Sequence, residues 1–315
     1  MGVPDIIAVN DGRIRVRVDG SSEQPAILLL HGVGRSLEDW APQHQRLSGY
    51  RTIALDTPGS GFSTRPSASM SVPALARGVA ATLDVLGEQR PLHVIGNSLG
   101  AAVGLQLLCV HPERVASLVL VNPAGFGSEV YAMVRLVSVP GIGSFAARHP
   151  TRVSARMIER AIYADRSLAT TQRIDHALAI ARQPEYGPVL HELVRELATA
   201  RGFRWRWRAE LIAEVKKRPR PTLIMWGDRD RILPVRHLNT ARRLLPHAKT
   251  HLFTGIGHMP QIECPDEFAE LVREFLGSTS MPGGQKPQAG NGFAATGQQG
   301  AERRGNRTGP TGLEL

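Results

Sequence analysis

Short apolar runs recur along the chain, and segments with helical spacing of their apolar positions separate them. Several runs are apolar on both faces, which is typical of strands inside a parallel sheet, at residues 26–30, 92–96, 115–121 and 221–226. Further strands are predicted at 51–55 and 249–253, and a β-hairpin at 6–18 around an Asn-Asp-Gly turn. The pattern predicts an α/β fold: a mostly parallel, doubly wound sheet with an N-terminal antiparallel hairpin.

The strand pattern stops between residues 124 and 218. Apolar positions there have helical spacing at residues 131–139, 152–163, 173–182 and 189–199, and glycines and prolines separate these segments. We therefore predict an α/β core of residues 1–123 and 219–277 and a helical cap or lid of residues 124–218. Residues 278–315 are rich in Gly, Gln, Pro and Arg, which predicts a disordered low-complexity tail.

The chain of 315 residues carries a formal net charge of +10. Residues 129–220 contain 17 Lys and Arg against 9 Asp and Glu, but these charges are scattered through helical pattern. A solvated basic face is therefore favoured over nucleic-acid binding. The two cysteines, Cys109 and Cys264, form no paired or metal-binding pattern, and no secretion signal or membrane-spanning run is visible. We predict a cytoplasmic protein without a membrane span, and the sequence leaves its oligomeric state open.

The run at 92–96 leads into Gly96-x-Ser98-x-Gly100, the nucleophile-elbow pattern of serine hydrolases. In such an elbow the serine occupies a strained turn that exposes its hydroxyl to a cleft. A Cβ atom at either glycine would collide with the neighbouring strand or helix. The alternative interpretation is an ordinary glycine-rich turn between a strand and a helix.

Two partners for Ser98 follow later strands. Asp230 comes after the strand at 221–226, and His258 comes after the strand at 249–253. Because the carboxyl ends of parallel strands share one sheet edge, we expect these three side chains to meet. His258 would act as the base and Asp230 would orient it. Asp228 also follows its strand, and we interpret it as a capping residue or a surface ion pair.

A His-Gly-x-Gly sequence at residues 31–34 follows the strand at 26–30. Such a loop lets a backbone N–H group approach the oxyanion that forms when a carbonyl is attacked. The predicted oxyanion hole consists of the backbone N–H groups of Val33 and Leu99.

These motifs, together with Asp-x-Pro-Gly-x-Gly at residues 56–61 and Trp-Gly-Asp-Arg-Asp at 226–230, resemble the α/β-hydrolase superfamily over residues 5–277. The resemblance implies hydrolysis without a metal or nucleotide cofactor, and its acid position supports Asp230. Within the superfamily the chain is most similar to the meta-cleavage-product hydrolases, which split a carbon–carbon bond beside a ketone. Arg182 falls in the region from which those enzymes supply a substrate-binding arginine. Its alternative role is a solvated charge at a helix end.

Two positions depart from that subfamily. Met259 stands where an aromatic residue usually follows the histidine, and Arg35 lies where an asparagine-rich oxyanion loop would be. Gly32, Asn97 and Met259 remain candidate substrate contacts beside Arg182.

The sequence therefore predicts a serine hydrolase that cleaves a carboxylic ester or related acyl compound through an acyl-enzyme on Ser98. Apolar residues between Val134 and Phe145 predict a small, largely apolar substrate. The alternatives are a carbon–carbon bond hydrolase, an acyltransferase with the same triad and a non-catalytic ligand receptor on the same fold. Labelling of Ser98 by a fluorophosphonate would favour the enzyme over the receptor, and product analysis with competing nucleophiles would identify a transferase.

Overall fold

The structure is a computed structural model that describes residues 3–279. The tail predicted from residue 278 onward lies, except for its first two residues, outside the described residues. Among the helices of the described part, none combines the length and the hydrophobicity that a membrane span requires.

Eight strands form one sheet in the order β1-β2-β4-β3-β5-β6-β9-β10. β1 and β2 form the predicted antiparallel hairpin, β2 pairs antiparallel with β4, and the other pairs are parallel. The predicted α/β fold is therefore confirmed. The strands are β1 Asp5–Val9, β2 Gly12–Asp19, β3 Ala26–Leu30, β4 Arg51–Leu55, β5 Leu92–Asn97, β6 Val115–Val121, β9 Thr222–Gly227 and β10 Lys249–Phe253, and a separate two-residue pair is β7 Ala198–Thr199 and β8 Gly202–Phe203.

Helices cover both faces of the sheet, and six consecutive helices lie between β6 and β9. The helices outside this insertion are α1 Ala41–Arg46, α2 Val72–Val85, α3 Leu99–Val110, α10 Arg236–Leu244, α11 Pro260–Glu263 and α12 Pro265–Gly277. The inserted helices are α4 Ala132–Val137, α5 Ile142–Arg148, α6 Arg152–Ile162, α7 Thr171–Ala181, α8 Tyr186–Leu197 and α9 Trp205–Lys216.

Ser36, followed by Glu38 and Asp39, predicts from the sequence a helix over residues 36–47 that Ser36 caps, and the observed structure differs. A 3₁₀ turn at Leu37–Trp40 precedes α1, and Ser36 does not cap it through its side chain. The Ser36 hydroxyl donates instead to the Glu38 carboxylate at 2.6 Å. The prediction of a Ser36 cap was therefore wrong, because a nearby carboxylate competes with the backbone for the hydroxyl.

Alternate side chains of the central strands bury against opposite helical layers. In β3, Leu28 and Leu30 join a core cluster that includes α2, α3 and α10, while Ile27 and Leu29 join a cluster with α12 and with residues that flank α1. Burial on both faces explains why these strands are continuously apolar. The inserted helix α9 belongs to the first cluster and packs against α3.

His93, in β5, is a buried core residue whose Nδ1 lies 2.8 Å from Ser117 Oγ. Burial lowers its pKa from 6.5 to about 4. In the unfolded chain His93 becomes protonated below about pH 6.5, whereas in the folded protein it stays neutral until the pH falls to about 4. The free energy of unfolding should therefore fall as the pH drops through this window, by up to about 3 kcal/mol from His93 alone.

Urea unfolding of the wild type and His93→Gln across pH 4 to 7 measures this contribution, and glutamine retains a polar partner for Ser117. Burial also lowers the pKa of His44 to about 4, so both proteins should retain some acid sensitivity. We expect a shallower loss of stability in the variant. Equal pH dependence in the two proteins would contradict the assignment to His93.

Candidate active site

The structure brings Ser98, Asp230 and His258 to the same edge of the sheet, where β5, β9 and β10 end. His258 Nδ1 lies 2.7 Å from Asp230 Oδ2. Ser98 and His258 line one cavity, without a hydrogen bond between their side chains. All three residues are almost fully buried.

Ser98 occupies a sharp turn between β5 and α3. Its φ of 56° lies in the left-handed region that non-glycine residues rarely adopt. Two backbone hydrogen bonds hold the turn: the Ser98 N–H donates to Val121 O at 2.9 Å, and the Ala124 N–H donates to Ser98 O at 3.1 Å. Strain held in this way is typical of a functional turn.

The two glycines of the elbow allow a close approach of backbone segments. A Cβ on Gly96 would lie 2.4 Å from the carbonyl carbon of Gly100, and a Cβ on Gly100 would lie 2.2 Å from Leu30 O. Backbone atoms cannot yield to such contacts, so both positions require glycine, as the sequence pattern predicts.

Four N–H donors surround the Asp230 carboxylate. Oδ1 accepts from the backbone N–H groups of Ile232 at 2.7 Å and Leu233 at 2.9 Å, and Oδ2 accepts from the Asn122 side chain at 2.6 Å and from His258. An ionised carboxylate only accepts, so the proton of His258 belongs on Nδ1. Nε2 is then available as a base.

Asn122 is a site residue that the sequence analysis did not identify. It is fully buried at the end of β6, has a φ of 45°, and donates to Asp230. Asn122 could have been identified from the sequence by its position before Pro123, at the sheet edge where the other candidate residues lie. Asp228 lies differently: its carboxylate accepts from the Gly255 N–H at 2.8 Å and caps a turn after β10.

The backbone N–H groups of Val33 and Leu99 have no acceptor among residues 3–279. Val33 lines the cavity, and Leu99 is the first residue of α3, where N–H groups lack helical partners and the helix dipole favours negative charge. The two groups are therefore available to an oxyanion beside Ser98.

The cavity beside Ser98 has a volume of about 190 Å³ and mostly apolar walls. Gly32, Asn97 and Met259 line it, as do side chains from five inserted helices. The Asn97 amide donates to His258 O at 3.0 Å, so Asn97 also fixes the histidine backbone. Its Oδ1 is buried without a hydrogen-bond partner in the described part of the chain.

Arg182 does not lie with the other candidate residues. It is exposed and borders a neighbouring depression, which shares Ala147, Pro150 and Ala181 with the cavity wall. Helix α7 turns Ala177 and Ala181 toward the cavity, and Arg182, one residue after its end, projects about 100° further around the axis. The sequence specifies the helix, but its rotation depends on tertiary packing.

Arg35 is the cationic side chain that does line the cavity. It forms ion pairs with Asp39 and with Glu159 of α6, which is fully buried. Burial alone would lower the pKa of Arg35, but the two carboxylates outweigh it and hold the pKa well above its ordinary value. No sequence signal connects Arg35 with Glu159, because they are distant along the chain.

A family model described as alpha/beta hydrolase fold matches residues 25–265. An uncharacterised protein of Mycobacterium tuberculosis (strain H37Rv) is 32% identical over 284 residues, which cover 86% of this chain and 80% of the relative.

Two solved structures show the same similarity. A meta-cleavage product hydrolase from Pseudomonas fluorescens IP01 is 28% identical, with a TM-score of 0.72 over 86% of this chain and 97% of that one. A membrane phospholipase A, a bacterial virulence factor, is 27% identical, with a TM-score of 0.70 over 87% and 86%. With the family match over most of its length, the chain belongs to the α/β-hydrolase fold family and is a hydrolase.

Proposed function

We propose that the protein is a serine hydrolase that cleaves carboxylic esters with an apolar acyl group. The supporting observation is the 2.7 Å contact between His258 and Asp230 beside a cavity that His258 and Ser98 both line. A base with a fixed tautomer, a strained serine and an apolar pocket are the parts that acyl transfer requires.

In the first half of the reaction, Ser98 Oγ attacks the ester carbonyl and its proton passes to His258 Nε2. The two atoms must reach hydrogen-bond distance when substrate binds. The N–H groups of Val33 and Leu99 stabilise the oxyanion, each by about 3 kcal/mol. The intermediate then expels the alcohol, which takes the proton from His258.

In the second half, water attacks the acyl group on Ser98. His258 accepts a proton from this water, the oxyanion forms again, and Ser98 leaves with the proton held by His258. The acid is released and the side chains return to their starting state. Asp230 stabilises the imidazolium in both halves through the Nδ1–H hydrogen bond.

A carbon–carbon hydrolase of the meta-cleavage type is the second candidate, since one structural neighbour has that activity by name. A dienoate substrate carries a carboxylate whose burial requires a cationic partner. Among the described residues, Arg35 is the only Arg or Lys that lines the cavity, and two carboxylates already balance its charge. This charge balance favours an uncharged acyl group.

Turnover of p-nitrophenyl butyrate and of a ring-fission dienoate distinguishes the two candidates. We expect kcat/KM for the ester to be at least about 100-fold higher, because a buried unpaired carboxylate costs several kcal/mol. Arg182→Ala should leave both activities unchanged, as should the control Arg201→Ala. Faster dienoate cleavage together with a raised dienoate KM in Arg182→Ala would instead support the carbon–carbon reaction.

We further propose that helices α4–α8 form a cap over the site. Each contributes to the cavity wall, through Val134, Ala147, Ile158, Ala181 and Val194. The packing of α9 against α3 suggests that the cap ends before α9. A cytoplasmic location remains a prediction, supported by the two free cysteines.

A further inference from the structure

Large exposed hydrophobic side chains concentrate on α4, α5 and α6. Of the twelve such side chains among the described residues, six belong to these helices: Leu136, Ile142, Phe145, Val153, Met157 and Ile158. Val153 is 75% exposed and Phe145 66%. We call the exposed surface of α5 and α6 the outer cap face. Its two helices are consecutive in the chain and line the same cavity, which distinguishes this surface from scattered surface hydrophobics that need no explanation.

The segment that contains α4, α5 and α6 also carries an excess of positive charge. Residues 132–162 contain five arginines, all exposed: Arg135, Arg148, Arg152, Arg156 and Arg160. The only acidic residue in this stretch is Glu159, which is buried and paired with Arg35. Asp175 of α7 pairs with Arg152, and the other four arginines form no ion pair with any residue of the described range 3–279.

On α6 the apolar and cationic side chains share one side of the helix. Val153, Arg156, Met157 and Arg160 follow the spacing i, i+3, i+4 and i+7, and all four are exposed. Arginines that flank exposed apolar side chains suit a boundary between water and hydrocarbon, because their long stems reach polar headgroups while the apolar groups insert.

The cavity opens within this face. Ala146 of α5 and Ile158 of α6 both line the cavity and are exposed to solvent. Apolar side chains beside them on the same helices, including Phe145 and Met157, do not line the cavity. The outer cap face therefore adjoins the cavity: Ala146 and Ile158 belong to both, whereas Phe145 and Met157 belong to the face alone.

We propose that the outer cap face docks on an anionic lipid surface, with the cavity opening turned toward the membrane. The exposed apolar side chains insert into the boundary between headgroups and acyl chains, and the arginines attract anionic headgroups. A second copy of the chain fits this face less well, because a twofold pairing would place arginines of one copy against those of the other. Docking depends on this surface alone and does not require the reaction at Ser98.

Sedimentation of the full chain with vesicles tests the proposal. We expect at least tenfold tighter binding to phosphatidylcholine mixed with phosphatidylglycerol than to phosphatidylcholine alone, and weaker binding as salt is raised. Phe145→Ser with Met157→Ser should weaken binding about tenfold or more. Arg156→Glu with Arg160→Glu should weaken it by at least about tenfold, since each arginine near the surface contributes about fivefold.

Matched controls change similar side chains elsewhere. Val85→Ser with Leu252→Ser replaces two exposed hydrophobics of α2 and β10, and Arg201→Glu with Arg243→Glu reverses two exposed arginines. Every variant retains the basic C-terminal residues. A difference in vesicle binding between the face variants and the control variants is therefore caused by the outer cap face. The controls should bind vesicles as the wild type does.

Three results would overturn the proposal: no binding of the wild type to anionic vesicles, equal binding by face and control variants, or a wild-type dimer that the face variants convert to monomers. Thermal unfolding shows whether each variant is folded. Ser98→Ala should bind vesicles normally, so a failed docking proposal and a failed hydrolase proposal give different results.

Discussion

Replacing Ser98 with alanine is expected to lower kcat for p-nitrophenyl butyrate by about 10⁴-fold or more. Without the hydroxyl no acyl-enzyme can form, and only the oxyanion donors and substrate binding remain. Steady-state kinetics and active-site labelling with a fluorophosphonate measure the loss. KM should change far less than kcat, because the cavity walls are unaltered.

Ser154→Ala is the matched control, since Ser154 lines the same cavity. Its hydroxyl accepts from the Thr151 N–H at the start of α6, so the variant should lose some stability and retain its turnover. If Ser98→Ala kept wild-type turnover, or Ser154→Ala lost it, the proposed nucleophile would be incorrect.

Asp230→Asn should lower kcat by about 10³- to 10⁴-fold, the second largest effect. The asparagine NH₂ group would face donors at Asn122 and His258 that now share Oδ2. The favoured response is donation from that NH₂ group to His258 Nδ1, which transfers the imidazole proton to Nε2. The imidazole is then protonated at the atom that must accept the Ser98 proton.

Asp228→Asn provides a control two residues away. An asparagine oxygen can still accept from the Gly255 N–H, so we expect kcat to change by less than about threefold. The ratio of the two effects tests the choice between the two acids more sharply than either variant alone. Equal losses in both would contradict the assignment of Asp230.

The local sequence was sufficient to predict features that depend on residues close together in the chain. The Asn-Asp-Gly turn predicts the hairpin because its residues tolerate the required backbone angles, and Asn10 has a φ of 51°. The elbow glycines carry a similarly strong signal, since a Cβ at either position would lie 2.2 to 2.4 Å from backbone atoms.

Short or weakly amphipathic helices were harder to predict. α5 has seven residues between Gly141 and Pro150, and α9 begins with a Trp-Arg-Trp-Arg sequence that shows no clear apolar side. Their existence depends on packing, α5 against α8 and α9 against α3. The predicted Ser36 cap failed partly for the same reason: its hydroxyl donates to nearby Glu38, but it also lies 2.9 Å from Nε2 of His176 in α7, a distant segment.

The order of motifs along the chain was enough to predict the parallel sheet and to place Ser98, Asp230 and His258 at one edge of it, because strand direction assigns every such loop to the same side. Tertiary structure alone decided that Asn122 reaches Asp230, that Arg35 meets Glu159 and that Arg182 turns away from the cavity. Each of these depends on how distant segments are rotated and packed against one another, and periodicity within one segment carries no information about that.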